Sequence, residues 1–391
     1  MTLKRLDRSS VSISLVFAAQ FLVFGVYIPF FPVWLSAQNR TDGEIAWLVA
    51  LPLLVRVATV ALSASIAERF SDPRLPIWFC LAVSIVLLAA LGLMPGFWSL
   101  AAAMVVLALF WNVILPLSDA LAIDISRVTG ASYGRLRLWG SVAFILANLA
   151  GGAMIGAFGA WTVLPALVAG QVLALGVSVL LPGRLASQKR AERPSLFAPL
   201  SSLLRQPAFL AVLIGGGLVQ ASHALLYGYG SIEWRLQGFS DAVIGMFWAV
   251  GVIAEVILFA FSERVLARIG ARGMLVLGGL GGVVRFALLA VSPGLAATFL
   301  VQILHAASFG LTHLGVVGFV ARRAGAGETR AAQGLFAMMS GAAMGGATLL
   351  SGKVYPLMGE AGYLVMAGVA GLGLAILMAV RLTVPAADAD S

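Results

Sequence analysis

Five ionisable side chains stand deep inside long apolar runs of the sequence: Arg56, His223, Glu255, Arg285 and His305. A charge near the centre of a helix in hydrocarbon costs at least about 2.5–3.5 kcal/mol. Such groups therefore face a water-filled cavity or a partner, and their types bound the chemistry. Glu255 can take up and release a proton as its surroundings change. Arg56 and Arg285 attract anions, and the histidines can hold a proton or a hydrogen bond. With neutral histidines, two arginines against Glu255 leave one positive charge in excess, which favours a negatively charged ligand. Asp119 and Arg137 form a further pair. They are eighteen residues apart across a predicted turn, so two antiparallel helices bring them together.

The remaining candidates have plainer readings. His313 suits an interhelical hydrogen bond, Lys353 snorkels to a membrane surface, Asp124 with Arg127 makes a solvated pair, and Glu233 marks a wet helix end. Eight aromatic residues accompany the buried charges: Phe24, Tyr27, Phe30, Phe31, Trp111, Trp139, Tyr227 and Trp248. Aromatic walls beside an arginine suit a small aryl carboxylate, although such rings also populate headgroup belts. Neutral hydrogen-bonding side chains that would suit a sugar are few: Gln20, Asn112, Asn148, Gln220 and Gln302. There is no HExxH, no paired aspartate cluster and no glycine-flanked serine nucleophile, which argues against an enzyme. No GxxxxGK phosphate loop is present to couple ATP. The single cysteine, Cys80, permits no intrachain disulfide, and no metal or cofactor spacing is found.

The elements that must position these groups follow from composition. Of 391 residues, 61% are apolar and 10% charged, against about 25% charged in soluble domains, and the mean hydropathy is +1.02. About 20 apolar residues cross a bilayer as a helix. Twelve spans are predicted, near 11–35, 44–66, 75–94, 98–121, 138–158, 161–181, 208–231, 242–262, 273–292, 296–319, 332–356 and 362–382. Twenty of the 25 Lys and Arg residues fall in the loops and ends on the side of the N-terminus. Two, Arg40 and Arg235, fall opposite, and Arg56, Arg285 and Lys353 lie within spans. This asymmetry predicts both termini in the cytoplasm and explains the net charge of +9 without nucleic acid. The basic N-terminus runs into the first span with no small-residue cleavage site.

The hydrophilic stretch 183–206 divides the chain into an N-terminal half, 1–182, and a C-terminal half, 207–391. The halves echo each other. Tyr27 and Trp34 match Tyr227 and Trp234 at an offset of 200, as Gly152 and Gly159 match Gly352 and Gly359. Arg56 and Glu255 match at 199, so a bridge between the halves is one expectation and pairing within each half the other. Pro29, Pro32, Pro116 and Pro356 allow bends, and SGAAMGG (340–346) suits close helix approach.

A six-plus-six helical chain with both ends inside resembles the major facilitator superfamily. The loops AERFSDPR (67–74) and SERVLARIGAR (262–272) resemble its cytoplasmic signature, which implies a conformational latch at Glu68, Arg69, Arg74, Arg268 and Arg272. YGRLRLWGSVAF (133–144) and QASHALLYGYGSIEW (220–234) resemble the phenylpropionate permease group and, more distantly, the oligosaccharide–proton symporters of the lactose permease type. The symporter pattern places substrate contacts at Asp119, Arg137, Arg285 and His305. The resemblance adds Tyr27, Trp139, His223 and Tyr227 as cavity residues. The symporters' span-ten glutamate falls on Ser308 and their span-eight glutamate on Val252, with Glu255 one turn away. Proton coupling is therefore expected at Glu255, with Arg56, Arg285 and His305. The resemblance implies an all-α membrane protein of two pseudo-symmetric six-helix halves. It implies a monomer in the inner membrane that works by alternating access, taking a small-molecule substrate and protons as partners within the lipid bilayer. Proton-coupled import of an aryl carboxylate such as 3-phenylpropionate is the leading expectation. A sugar or nucleoside symporter, and a proton-driven exporter of amphipathic compounds, are the alternatives.

Overall fold

The computed structural model describes residues 7–70, 72–183, 203–323 and 328–380, with backbone only for 60–69 and 330. All regular structure among these residues is helical. In hydrocarbon no water satisfies a backbone N–H or C=O, and a helix closes those bonds within its own segment. Ten helical stretches among the described residues are long and apolar enough to cross a membrane. The last of them, Ala331–Ala379, passes through two helices separated by a 3-10 turn at Gly359–Gly362. The all-α membrane class is thus borne out.

The described residues fall into two compact units, within Met1–Glu192 with Tyr227–Ala249 and within Arg193–Leu226 with Val250–Ser391. In the first, α1 (Arg8–Ala37) packs on α5 (Tyr133–Phe158) and α6 (Val163–Ser178), and α4 (Phe97–Thr129) lies against α2 (Asp42–Arg69) and α3 (Arg74–Leu91). Thr41 and Glu44 close a reciprocal capping box at the start of α2. Asn112 of α4 donates to the Pro52 carbonyl of α2 at 2.9 Å. Most of α8 (Ala224–Leu236) and the first part of α9 (Asp241–Ala260) belong to this unit as a hairpin. The Tyr229 hydroxyl donates to the Asp42 carbonyl. Where α5 crosses α9, a Cβ on Gly152 would lie 2.3 Å from the Asp241 carbonyl oxygen, and one on Gly245 2.3 Å from that of Asn148. Only glycine permits this crossing.

The second unit contains α7 (Pro207–Ala221), the rest of α9, α10 (Ser262–Leu289), α11 (Leu295–Ile303), α12 (Thr312–Arg323), α13 (Thr329–Met358) and α14 (Tyr363–Ala379). Phe209, Leu213, Leu275, Val316, Phe319 and Leu377 form part of its core. Two predicted spans are interrupted here. The run 208–231 breaks at a turn over Ser222 and His223, and 296–319 contains a π-helical turn at Ala306–Leu311. Such turns insert a residue into the helical ladder and often accompany functional sites.

Candidate functional site

Both interruptions carry the same cluster. Arg285, on α10, is 1% exposed. Its Nη1 donates to His305 Nδ1 at 3.0 Å and to Ser308 Oγ at 3.3 Å, and its Nη2 donates to Gln302 Oε1 at 2.7 Å. His305 Nε2 lies 3.1 Å from Glu255 Oε2. His223 completes the network, with Nε2 3.0 Å from Ser308 Oγ and Nδ1 3.0 Å from the Gln220 carbonyl.

With His223 neutral, the direction of every bond follows from donor inventory. A guanidinium only donates, so His305 Nδ1 accepts and the ring is neutral, with its proton on Nε2 donated to Glu255. A carbonyl only accepts, so His223 donates from Nδ1, and its Nε2, in the neutral ring, accepts from the Ser308 hydroxyl. Arg285 is therefore the donor from which the chain runs both ways. The π turn brings Ser308 into line, and Gln220 Nε2 donates to the Phe309 carbonyl at 3.2 Å. Close approach of α10 depends on Gly278, where a Cβ would lie 2.2 Å from Thr312 Oγ1.

The first unit holds a second cluster. Tyr133 donates its hydroxyl to Asp119 Oδ1 at 2.8 Å. Asp119 interacts electrostatically with both Arg137 and Arg56, and Arg137 also bonds the Tyr133 side chain. Arg56 is exposed, and Asp119 and Arg137 are half-buried. The Arg137 guanidinium stacks 3.8 Å above the Phe21 ring. Two arginines against one aspartate leave this cluster one positive charge in excess, whereas Arg285 and Glu255 cancel in the second unit.

The chain matches the family model described as "MFS_1 like family" over residues 10–364. It belongs to this family of the major facilitator superfamily. It is 32% identical over 376 residues to the "Probable 3-phenylpropionic acid transporter" of Escherichia coli (strain K12), covering 92% of this chain and 94% of that one. It is 27% identical over 303 residues to the maltose permease of Geobacillus stearothermophilus, covering 74% and 73%. Among solved structures, the nucleoside transporter NupG superposes with a TM-score of 0.83 at 16% identity, over 95% of this chain and 98% of that one. A bacterial homologue of the human lysosomal transporter Spinster gives 0.75 at 13%, over 95% of each chain. These structures share the fold. The protein is an integral membrane transporter of small molecules.

The structure of this transporter brings Asp119, Arg137 and Arg56 together, and separately His223, Glu255, Arg285 and His305. Each of Arg56 and Glu255 has an electrostatic partner inside its own unit. Tyr27 joins a ring cluster with Phe31 and Trp111. Tyr227 packs on Trp248, 5.8 Å between centroids, within the hairpin. Trp139 stands apart, 56% exposed, in a groove with Ser10, Ser14 and Ala18. Of the expected latch, the side chains of Glu68 and Arg69 lie outside the described residues. Arg74 pairs with Asp72 at 2.8 Å and lies over Trp78, and Arg268 and Arg272 are exposed. The basic residues of 184–202 and Arg330 also fall outside the described side chains. His313 stacks on Phe309 with 6.3 Å between centroids.

Two functional candidates escaped the sequence reading. Tyr133 lies four residues before Arg137, one helical turn away, which was a usable signal. Ser308 sits where the symporter pattern has a glutamate and where no residue type marks a π turn.

Proposed function

We propose that this transporter imports a small aryl carboxylate such as 3-phenylpropionate together with a proton, by alternating access across the inner membrane, with both termini in the cytoplasm. The observation that carries this reading is the separation of charge between the two clusters. The surplus positive charge at Arg56, Asp119 and Arg137 suits a carboxylate, which the stacked Arg137 can hold while its Phe21 neighbour meets an aromatic ring. Glu255 is the proton site. It accepts from His305, and protonation removes its charge and leaves Arg285 uncompensated at the other end of the same hydrogen-bond chain. One anion plus one proton adds no net charge, so the loaded protein meets no greater electrostatic cost than the empty one in changing state. The family relative named for 3-phenylpropionic acid supports the same cargo.

A sugar is the second reading, favoured by the likeness to a maltose permease. Most neutral hydrogen-bonding side chains are already engaged in helix packing: Gln20 with Gln171, Asn112 with Pro52, Gln220 with Phe309 and Gln302 with Arg285. That weighs toward the aryl acid. The test is uptake of labelled 3-phenylpropionate into proteoliposomes. Accumulation driven by an inward proton gradient is expected. Uptake of maltose or a nucleoside without uptake of the acid would overturn the assignment.

A further inference from the structure

The first unit contains a continuous ladder of six rings that begins under Arg137. Phe21 meets Phe24 at 5.4 Å between centroids, Phe24 stacks on Trp111 at 5.5 Å, and Trp111 meets Tyr27 edge-on at 4.9 Å. Tyr27 then stacks on Phe31 at 4.8 Å, and Phe31 on Trp34 at 5.5 Å. Phe21, Phe24 and Tyr27 are each half-buried, so part of the ladder stays open, whereas Trp111 is 5% exposed. Two polar atoms in it are buried with no hydrogen-bond partner among the described residues, the Tyr27 hydroxyl and the Trp111 indole Nε1. Tyr and Trp normally find a partner when buried, and an unpaired buried donor is costly. Here two occur on adjoining rings.

Their place along the helix gives them a ligand. Six residues of α1 separate Phe21, beneath the Arg137 guanidinium, from Tyr27, about 9 Å of rise. The carboxylate of a 3-arylpropionate is about 8–9 Å from a substituent at the far end of its ring, by standard bond lengths. With the carboxylate at Arg137, a ring laid along the ladder puts that substituent at the level of Tyr27 and Trp111. An indole N–H only donates, so the substituent must accept, whereas the tyrosine hydroxyl can donate or accept.

We propose that Tyr27 and Trp111 read an oxygen substituent at the far end of the substrate ring, so that the transporter prefers ring-oxygenated aryl carboxylates to unsubstituted ones. The inference rests on the aryl-carboxylate reading above and deepens it.

Displacement of labelled 3-phenylpropionate from the purified full-length protein tests it. The competitors are 3-(4-hydroxyphenyl)propionate, its 4-methoxy analogue, its 4-methyl analogue and the unsubstituted acid. The hydroxyl compound is expected to displace label at about 2- to 10-fold lower concentration than the methyl compound, the gain of a neutral hydrogen bond. The methoxy compound, which accepts but cannot donate, is expected to keep part of that gain. In Tyr27→Phe and in Trp111→Phe the hydroxyl-to-methyl ratio falls toward one. A wild-type ratio of one overturns the proposal without any variant. Variants that weaken all four acids equally overturn it too, because the pair would then touch the carboxylate. If the wild type binds no aryl acid, the functional reading itself fails and this inference with it.

Discussion

The two charged clusters both set arginine against a carboxylate, but at opposite degrees of burial. In the second unit Arg285 is all but sealed from solvent, and its bonds to His305, Ser308 and Gln302 each have a single allowed direction. In the first unit Arg56 is exposed, Arg137 is half-buried, and Asp119 serves both with Tyr133. A closed network can respond as a whole when one proton changes. An open cluster with surplus charge can take up an anion. In the proposed mechanism, proton sensing falls to Glu255–His305–Arg285 and anion capture to Arg56–Asp119–Arg137.

The harshest way to break this division is to remove the centre of the closed network. Arg285→Met leaves His305 Nδ1, Ser308 and Gln302 without their donor and Glu255 without a compensating charge. Loss of one partner from a buried ionic arrangement costs about 3–5 kcal/mol. The expected outcome is a marked fall in the melting temperature in detergent, and uptake reduced by at least about 100-fold. The double variant Arg285→Met/Glu255→Gln removes both charges, and its melting temperature is expected to recover while gradient-driven uptake stays lost. A double variant no more stable than the single one would show that Glu255 and Arg285 do not share one charge balance.

Glu255→Gln alone sharpens the comparison, because it separates coupling from carriage. The amide can still accept from His305 Nε2, yet it cannot exchange a proton. Counterflow of labelled against unlabelled substrate is expected to persist, while accumulation against a gradient falls to equilibration. Equal loss of both would place Glu255 in substrate binding and dissolve the division of roles.

Arg137→Gln strikes the open cluster instead. It removes a charge-assisted contact of about 1.5–3 kcal/mol, equivalent to a KM raised about 10- to 150-fold. The maximal rate and the stimulation by a proton gradient are expected to be largely kept. Asp119→Asn moves the charge balance the other way, so its KM is expected to fall or hold. A KM that rises as much for Asp119→Asn as for Arg137→Gln would mean that the cluster acts as a structural pair and not as an anion site.

How far the sequence carried this picture depends on how local each signal is. The membrane class was legible because run length and hydropathy are read directly. Asp119 and Arg137 were legible because a short turn between two helices makes eighteen residues a contact distance. The partnership of Arg56 was not. Its offset from Glu255 allowed a bridge between halves as readily as pairing within its own half, and the sequence named no partner there. His223 was singled out, but its link to Arg285 was not, because that link runs through Ser308. A regular helix through 296–319 gives no reason to bring Ser308 between Arg285 and His223, and the π turn at Ala306–Leu311 does.

That link yields the smallest expected effect. Ser308 Oγ accepts from Arg285 and donates to His223 Nε2. Ser308→Ala removes both bonds but leaves Arg285 its bonds to His305 and Gln302, so the hydrogen-bond link to Glu255 survives. The cost is an unsatisfied His223 nitrogen, about 1–3 kcal/mol, expected as a modest fall in melting temperature and a few-fold fall in gradient-driven uptake. If the cost arises at His223, it should shrink when that ring is replaced. In a His223→Phe background, Ser308→Ala is expected to cost much less than in the wild type, a coupling of about 0.5–3 kcal/mol in a double-mutant cycle on stability. Strict additivity would mean that Ser308 and His223 are neighbours without being partners, and the closed network would then end at Arg285.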